Sequence, residues 1–161
     1  MLLAIDVGNT NIVFGLFDGE VLRESWRLTT DRGKTADEYG VFLRSLFDSS
    51  GTMPRDVTSV ILASVVPPLT PIMRRLVDRM FQLQPMLVST ALHTGISWEV
   101  DSPAEMGADR VADCVGAFIK YGGPCIVVDL GTATTFNYVT GDGRYLGGSI
   151  APGLLNSSES L

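Results

Sequence analysis

Leu3-Ala4-Ile5-Asp6-Val7-Gly8-Asn9-Thr10-Asn11 and Ile126-Val127-Val128-Asp129-Leu130-Gly131-Thr132-Ala133-Thr134 are near copies of one another. In each, an apolar run ends in Asp-x-Gly and a cluster of amides or hydroxyls comes next. A second apolar stretch then leads to an Asp-Gly turn, Asp18-Gly19 or Asp142-Gly143. An apolar run closed by turn residues is a strand, and Asp-Gly between two such runs is a hairpin. The unit is therefore a strand, a sharp polar bend and a hairpin, made twice. Duplication implies two similar half-domains whose acidic bends can grip one charged ligand, and the phosphate chain of ATP with its metal has that chemistry.

Outward from the first copy, the pattern predicts strands over Leu2 to Val7, Asn11 to Phe17 and Val21 to Leu28. Thr35-Ala36-Asp37-Glu38 has the form of a capping box, with Tyr39, Phe42, Leu43, Leu46 and Phe47 at helical spacing behind it. Val60 to Val66 reads as a buried strand, and Thr70-Pro71 opens a helix with Ile72, Met73, Leu76, Val77, Met80 and Phe81 on its core face. Pro85 to Ser89 reads as another strand. Ser102-Pro103-Ala104-Glu105 has the form of a second capping box, opening a helix that turns Ala108, Val111, Ala112, Val115, Phe118 and Ile119 inward and stops at Gly122-Gly123. The second copy then restarts, with strands near 125 to 130, 134 to 140 and 144 to 150. The expected division is a first half-domain over 1–122 and the start of a second over 123–161. Roughly a hundred further residues would complete the second, so the chain reads as a fragment or as a truncation covered by another subunit.

Composition narrows the function classes. The chain is 45% hydrophobic and 19% charged over 161 residues, which supports a solid core rather than disorder. With 18 acidic against 12 basic residues the net charge is −6, and the longest basic run is Arg74-Arg75, so a nucleic-acid partner is not expected. The apolar run at Val60 to Val66 is broken by Ser64 and closed by Pro67-Pro68, far short of a membrane span. Neither a membrane association nor a secretory leader is expected, and Cys114 and Cys125 read as reduced thiols of a cytoplasmic protein. His93 alone can build neither a site of several histidines nor, unless it serves there itself, a Ser-His-Asp triad.

Each polar segment has a chemical reading and a plain one. Gly8 lets backbone N–H groups approach an anion, with Asn9, Thr10 and Asn11 as further donors, while Asp6 suits a hydrated Mg²⁺ bridging phosphate oxygens. The plain account is a hairpin turn made of turn residues. Asp129 beside Thr132 offers hard oxygens for a cation, or else a capped strand end. Gly107-Ala108-Asp109-Arg110 is expected inside the helix opened at Ser102. There Gly107 would mark a close approach, Asp109 a general base and Arg110 a clamp for a substrate carboxylate; a solvated Asp-Arg edge is the alternative. Asp109 and Asp113 share a face, which disfavours ionisation of both. Gly147-Gly148-Ser149-Ile150-Ala151-Pro152-Gly153 reads as a bend before a further helix, either approaching nucleotide or simply turning the chain.

With those segments in place, the chain resembles the N-terminal part of the type III pantothenate kinases, of the acetate and sugar kinase/Hsp70/actin fold group. Matching motifs run in order from Asp6-Val7-Gly8-Asn9-Thr10-Asn11 through Thr35 to Gly40, Ser64 to Leu69, Gly107 to Arg110 and Asp129 to Thr135, ending at Gly147 to Gly153. The resemblance implies an α/β, ribonuclease H-like (actin-like ATPase) half-domain, its mixed sheet flanked by helices, plus the start of a duplicate. It also implies ATP-dependent phosphorylation of pantothenate, the first step of coenzyme A synthesis, by a homodimer. Asp6, Val7, Gly8, Asn9, Thr10, Asn11, Ile12 and Val13, with Thr132, would bind ATP and its Mg²⁺, and Asp129 a monovalent cation, K⁺ or NH₄⁺. Gly107, Ala108, Asp109 and Arg110 would contact pantothenate, with Asp109 as proton acceptor. Val100 stands where the family often carries a substrate-contacting tyrosine, which keeps a kinase of another small hydroxyl compound in view. A non-catalytic nucleotide-binding protein is the rival from a different class.

Overall fold

Alternation along the first three strands decides which side of the sheet is covered. The computed structural model describes residues 1–153. In it, β1 (Leu2–Val7) pairs antiparallel with β2 (Asn11–Asp18), which pairs antiparallel with β3 (Val21–Thr29). Register sets Leu3 beside Leu16, Ile5 beside Phe14 and Val7 beside Ile12. β4 (Ser59–Ser64) joins the other edge of β1 in parallel, setting Val60 beside Leu3 and Leu62 beside Ile5. β5 extends that edge by two residues, Met86–Leu87, where the sequence pattern predicted five. The sheet order is β3-β2-β1-β4-β5, with β2 alone reversed. All eight of those paired apolar residues are buried on one face, because side chains alternate with period two and only that face meets the helices.

Two helices cover this face. α1 (Ala36–Ser50) starts at the expected capping box: Thr35 Oγ1 accepts from the Glu38 N–H at 3.3 Å, and the Glu38 carboxylate accepts from the Thr35 N–H at 2.8 Å. Its inward residues are Ala36, Tyr39, Leu43 and Phe47. Phe42, expected in the core, is 46% exposed and lies 5.9 Å from the Lys34 ammonium. α2 (Thr70–Phe81) buries Met73, Leu76 and Val77. Trp26 packs on Phe47 at 5.1 Å between ring centroids and Phe47 on Phe81 at 5.8 Å, tilted pairs that extend the core to the β3 edge.

By packing, the chain forms two compact units, Met1–Leu87 and a second that begins at Val88. The second unit holds α3 (Ala108–Tyr121) and a four-stranded sheet in which β6 (Ser97–Trp98), β9 (Arg144–Pro152), β8 (Ala133–Val139) and β7 (Cys125–Leu130) lie side by side in that order. β7, β8 and β9 form an antiparallel meander. β6, only Ser97–Trp98, adds to β9 in parallel. A two-residue strand carries no periodicity, and the sequence reading has none there.

Three expectations in this unit are corrected. The capping form at Ser102 yields only a 3-10 turn over Pro103–Glu105, after which Met106 is extended and α3 begins at Ala108 with Gly107 as its N-cap. Gly107 therefore starts the helix instead of interrupting it. α3 buries Ala108, Val111 and Cys114, while Ala112 and Ile119 face outward, because Cys114 replaces them on the covered stripe. Gly147 to Pro152 continue β9 instead of bending, since Gly148 pairs with Asn137 of β8 and leaves room for the close approach of Phe136 O. The expected helix beyond Gly153 falls outside the described residues.

The meander's two faces differ. On one, Cys125 and Val127 of β7, Val139 of β8 and Tyr145 of β9 pack with α3 residues Cys114, Val115 and Phe118. The other carries Ile126, Val128 and Leu130 with Phe136 and Tyr138, all between 40% and 67% exposed.

Candidate active site

The first bend is built as a donor loop. Gly8 N–H donates to Asn11 O at 2.9 Å, and a Cβ at Gly8 would stand 3.0 Å from that oxygen, so the tight turn favours glycine. Val7 and Ile12 are fully buried, so of the residues expected at ATP they can offer only backbone groups. Asn9 and Thr10 are exposed at the tip, Asp6 is exposed on β1 opposite Val13, and Asn11 and Val13 are half-buried. Two neighbours escaped the sequence reading. The Thr30 hydroxyl donates to Gly8 O at 2.6 Å, and Arg32 Nη2 donates to Asn9 Oδ1 at 3.0 Å. The connection from 29 to 34 thus braces the bend and brings a guanidinium to it, placing a cation where the sequence pattern showed only neutral donors. Lys34 holds the Asp31 carboxyl below its ordinary range in the same connection, their charged atoms 2.6 Å apart.

The second bend is one residue tighter than the first. Asp6 pairs with Val13, but Asp129 pairs with Thr135, one position earlier in the copy. Gly131 N–H donates to Ala133 O at 3.0 Å, and Thr132 is exposed in the turn. Gly153 is buried against this turn, where a Cβ would lie 2.4 Å from Thr132 O and 2.5 Å from Gly131 O. A carboxylate among carbonyl and hydroxyl oxygens is a hard donor set that fits an alkali or ammonium ion. Among the described residues no three His, Cys, Asp or Glu side chains group as metal ligands. A divalent ion at Asp6 would accordingly be held largely by phosphate oxygens and water, as Mg²⁺ commonly is.

The third segment opens α3. Asp109, in the first helical turn, accepts from the Arg110 N–H at 2.6 Å, which fixes its carboxylate. Arg110 reaches across to the sheet: Nε donates to Asn137 Oδ1 at 2.8 Å and Nη2 to the Tyr145 hydroxyl at 2.6 Å. Arg110, Tyr145 and Gly148, together with Val100, Met106 and Glu105, line an open cavity of about 270 Å³. Val100 and Arg110 thus line the same cavity. Asn137 and Tyr145 were not recognisable from local pattern, and Gly148 was noted only as part of the glycine-rich segment. His93 is an exposed loop residue.

The family model for type III pantothenate kinases matches residues 2–161. The chain belongs to that family. Type III pantothenate kinases of Roseiflexus sp. (strain RS-1) and Geobacter sulfurreducens are 49% and 48% identical to it over 161 residues, all of this chain and 63% of each relative. It thus spans under two thirds of the length of these relatives. Among solved structures it is similar to a putative 2-dehydro-3-deoxygalactonokinase from Sinorhizobium meliloti (TM-score 0.55, 15% identity, 93% of this chain and 53% of that one). A putative N-acetylglucosamine kinase from Porphyromonas gingivalis is also similar (TM-score 0.53, 15% identity, 92% of this chain and 47% of that one). Such likenesses show the fold, the ribonuclease H-like fold of actin-like ATPases, with mixed sheets flanked by helices.

Proposed function

We propose that this pantothenate kinase family member transfers the γ-phosphoryl group of ATP to the primary hydroxyl of pantothenate, giving 4'-phosphopantothenate, the first step of coenzyme A synthesis. The observation that carries the reading is the start of α3, where a carboxylate and a guanidinium occupy consecutive residues and the guanidinium borders an open cavity. An acceptor with a hydroxyl to deprotonate and a carboxylate to anchor suits that pair.

In this mechanism Arg110 binds the pantothenate carboxylate as a charge-assisted, planar donor. Gly107 and Ala108 shape the approach to the substrate, and Val100 packs against it without a hydroxyl. Asp109 accepts the hydroxyl proton as oxygen attacks phosphorus. The backbone and side-chain donors of residues 6–13, with Thr132, hold the phosphate chain of ATP, and Arg32 adds positive charge at the bend. Asp6 would hold Mg²⁺ through water and Asp129 a K⁺ or NH₄⁺ ion. When bound, these cations neutralise charge on the transferring phosphoryl group. We further propose a cytoplasmic homodimer.

The test is coupled ADP release in the full-length protein, with pantothenate and with or without K⁺. Asp109→Asn is expected to lower kcat about 10² to 10⁴-fold, the ordinary contribution of a general base, with little change in KM. An unchanged kcat would remove Asp109 from the role.

A further inference from the structure

We propose that Asn137, Tyr145 and Gly148 are positioning residues that aim the Arg110 guanidinium at a substrate carboxylate, making the polar floor of this cavity a selectivity device for an acid over its neutral analogue. The inference deepens the kinase reading and rests on it.

Arg110 is gripped on one side of its fork, by Asn137 Oδ1 at Nε and by the Tyr145 hydroxyl at Nη2. Below these contacts the network continues. Tyr145 donates to the same Asn137 oxygen at 3.1 Å, and Asn137 Nδ2 donates to Thr135 Oγ1 at 3.1 Å. Asn137 and Tyr145 are each 1% exposed and Thr135 8%, so these polar groups have left water and depend on one another. A sheet face of this kind is ordinarily apolar. In the first unit the corresponding covered positions of β2 are Ile12, Phe14 and Leu16.

Among the described residues, both acceptors of the guanidinium are neutral, an amide oxygen and a phenol oxygen. The seat therefore fixes the cation without cancelling its charge, leaving that charge for an anion. Burial pushes the Tyr145 hydroxyl above its ordinary pKa, against the pull of Arg110, so it stays protonated. Gly148 supplies the space: a Cβ there would stand 2.8 Å from Arg110 Nη2 and 3.0 Å from Asn137 Oδ1. Gly148 thus has a role in seating Arg110.

The experiment measures kcat and KM of the full-length protein for pantothenate and for pantothenol, its neutral alcohol analogue, in the wild type, Tyr145→Phe and Asn137→Ser. Loss of one charge-assisted hydrogen bond is expected to raise the KM for pantothenate about tenfold, with kcat within about twofold and pantothenol little affected, so the preference for the acid falls about tenfold. Equal loss on both substrates, or no change on either, would overturn the positioning role. No turnover of pantothenate by the wild type would instead overturn the kinase reading. In that case the ¹⁵N-labelled Arg110 Nε–H resonance decides the seat alone: protection from exchange in the wild type and release in Asn137→Ser support it, and equal exchange in both refutes it.

Discussion

Gly148→Ala tests the geometry of the cavity floor most directly, because a methyl group there has nowhere to go. Its Cβ would lie 2.1 Å from Phe136 O, roughly 1.3 Å short of the distance at which ordinary van der Waals contact begins. The obstacle is backbone of the neighbouring strand, so relief requires β8 and β9 to part, and the Arg110 fork and Asn137 are displaced with them. Overpacking costs about 1–3 kcal/mol, and a rigid carbonyl places this case near 3. At about 2–4 °C per kcal/mol for a chain of this size, Tm should fall roughly 6–12 °C. Gly116→Ala is the internal control: a Cβ at this exposed position in α3 meets nothing within 4 Å. It should stabilise by about 0.5–1 kcal/mol through helix propensity. Differential scanning calorimetry of the two variants gives opposite signs if the local structure is right. A Gly148→Ala protein that melts within about 2 °C of wild type and keeps its pantothenate KM would refute the reasoning.

Two further predictions concern the rest of the chain. Thr35→Ala removes the N-cap of α1 and should cost about 1 kcal/mol in urea unfolding at pH 7. Hydrogen bonds from Thr35 hold the Glu38 carboxyl below its ordinary value, so their contribution is present at neutral pH and fades as pH falls from about 4.5 through the lower folded value. The variant should accordingly lose less stability than wild type across that acid window. Burial, reinforced by the Asp113 charge, pushes the Cys114 thiol up to about 12. Iodoacetamide at pH 8, followed by mass spectrometry, should therefore label half-buried Cys125 first and Cys114 only after unfolding.

Where local chemistry sets structure, the sequence was a sound guide. β1 runs over Leu2–Val7 as its apolar run predicts, and Thr35 caps α1 because donor and acceptor lie three residues apart. The capping form at Ser102 misled, since its residues close one 3-10 turn and Met106 then extends, delaying the helix to Ala108. Phe42 has helical spacing yet sits on the rim, a distinction that depends on what α1 faces. The acidic bends and the run from Gly107 to Arg110 were legible as motifs. The seat of Arg110 was not, because its partners lie 27 and 35 residues away and are joined to it only by the fold. Asn137 within an alternating strand reads as a surface residue until the sheet is assembled.

The one-residue difference between the bends bears on how a duplicated unit acquires two jobs. The strand after the bend keeps the same positions covered, Thr135 and Asn137 for Ile12 and Phe14, and it is the strand before the bend that turns over: Leu3, Ile5 and Val7 are buried, whereas Ile126, Val128 and Leu130 are exposed. Asp6 faces across to Val13 in one copy, and Asp129 to Thr135 in the other. A carboxylate beside an aliphatic side chain and a carboxylate beside a hydroxyl are different sockets. Two copies of one strand-and-bend plan thus set their carboxylates in different surroundings on the same scaffold, beside a hydrocarbon in one and beside an oxygen in the other.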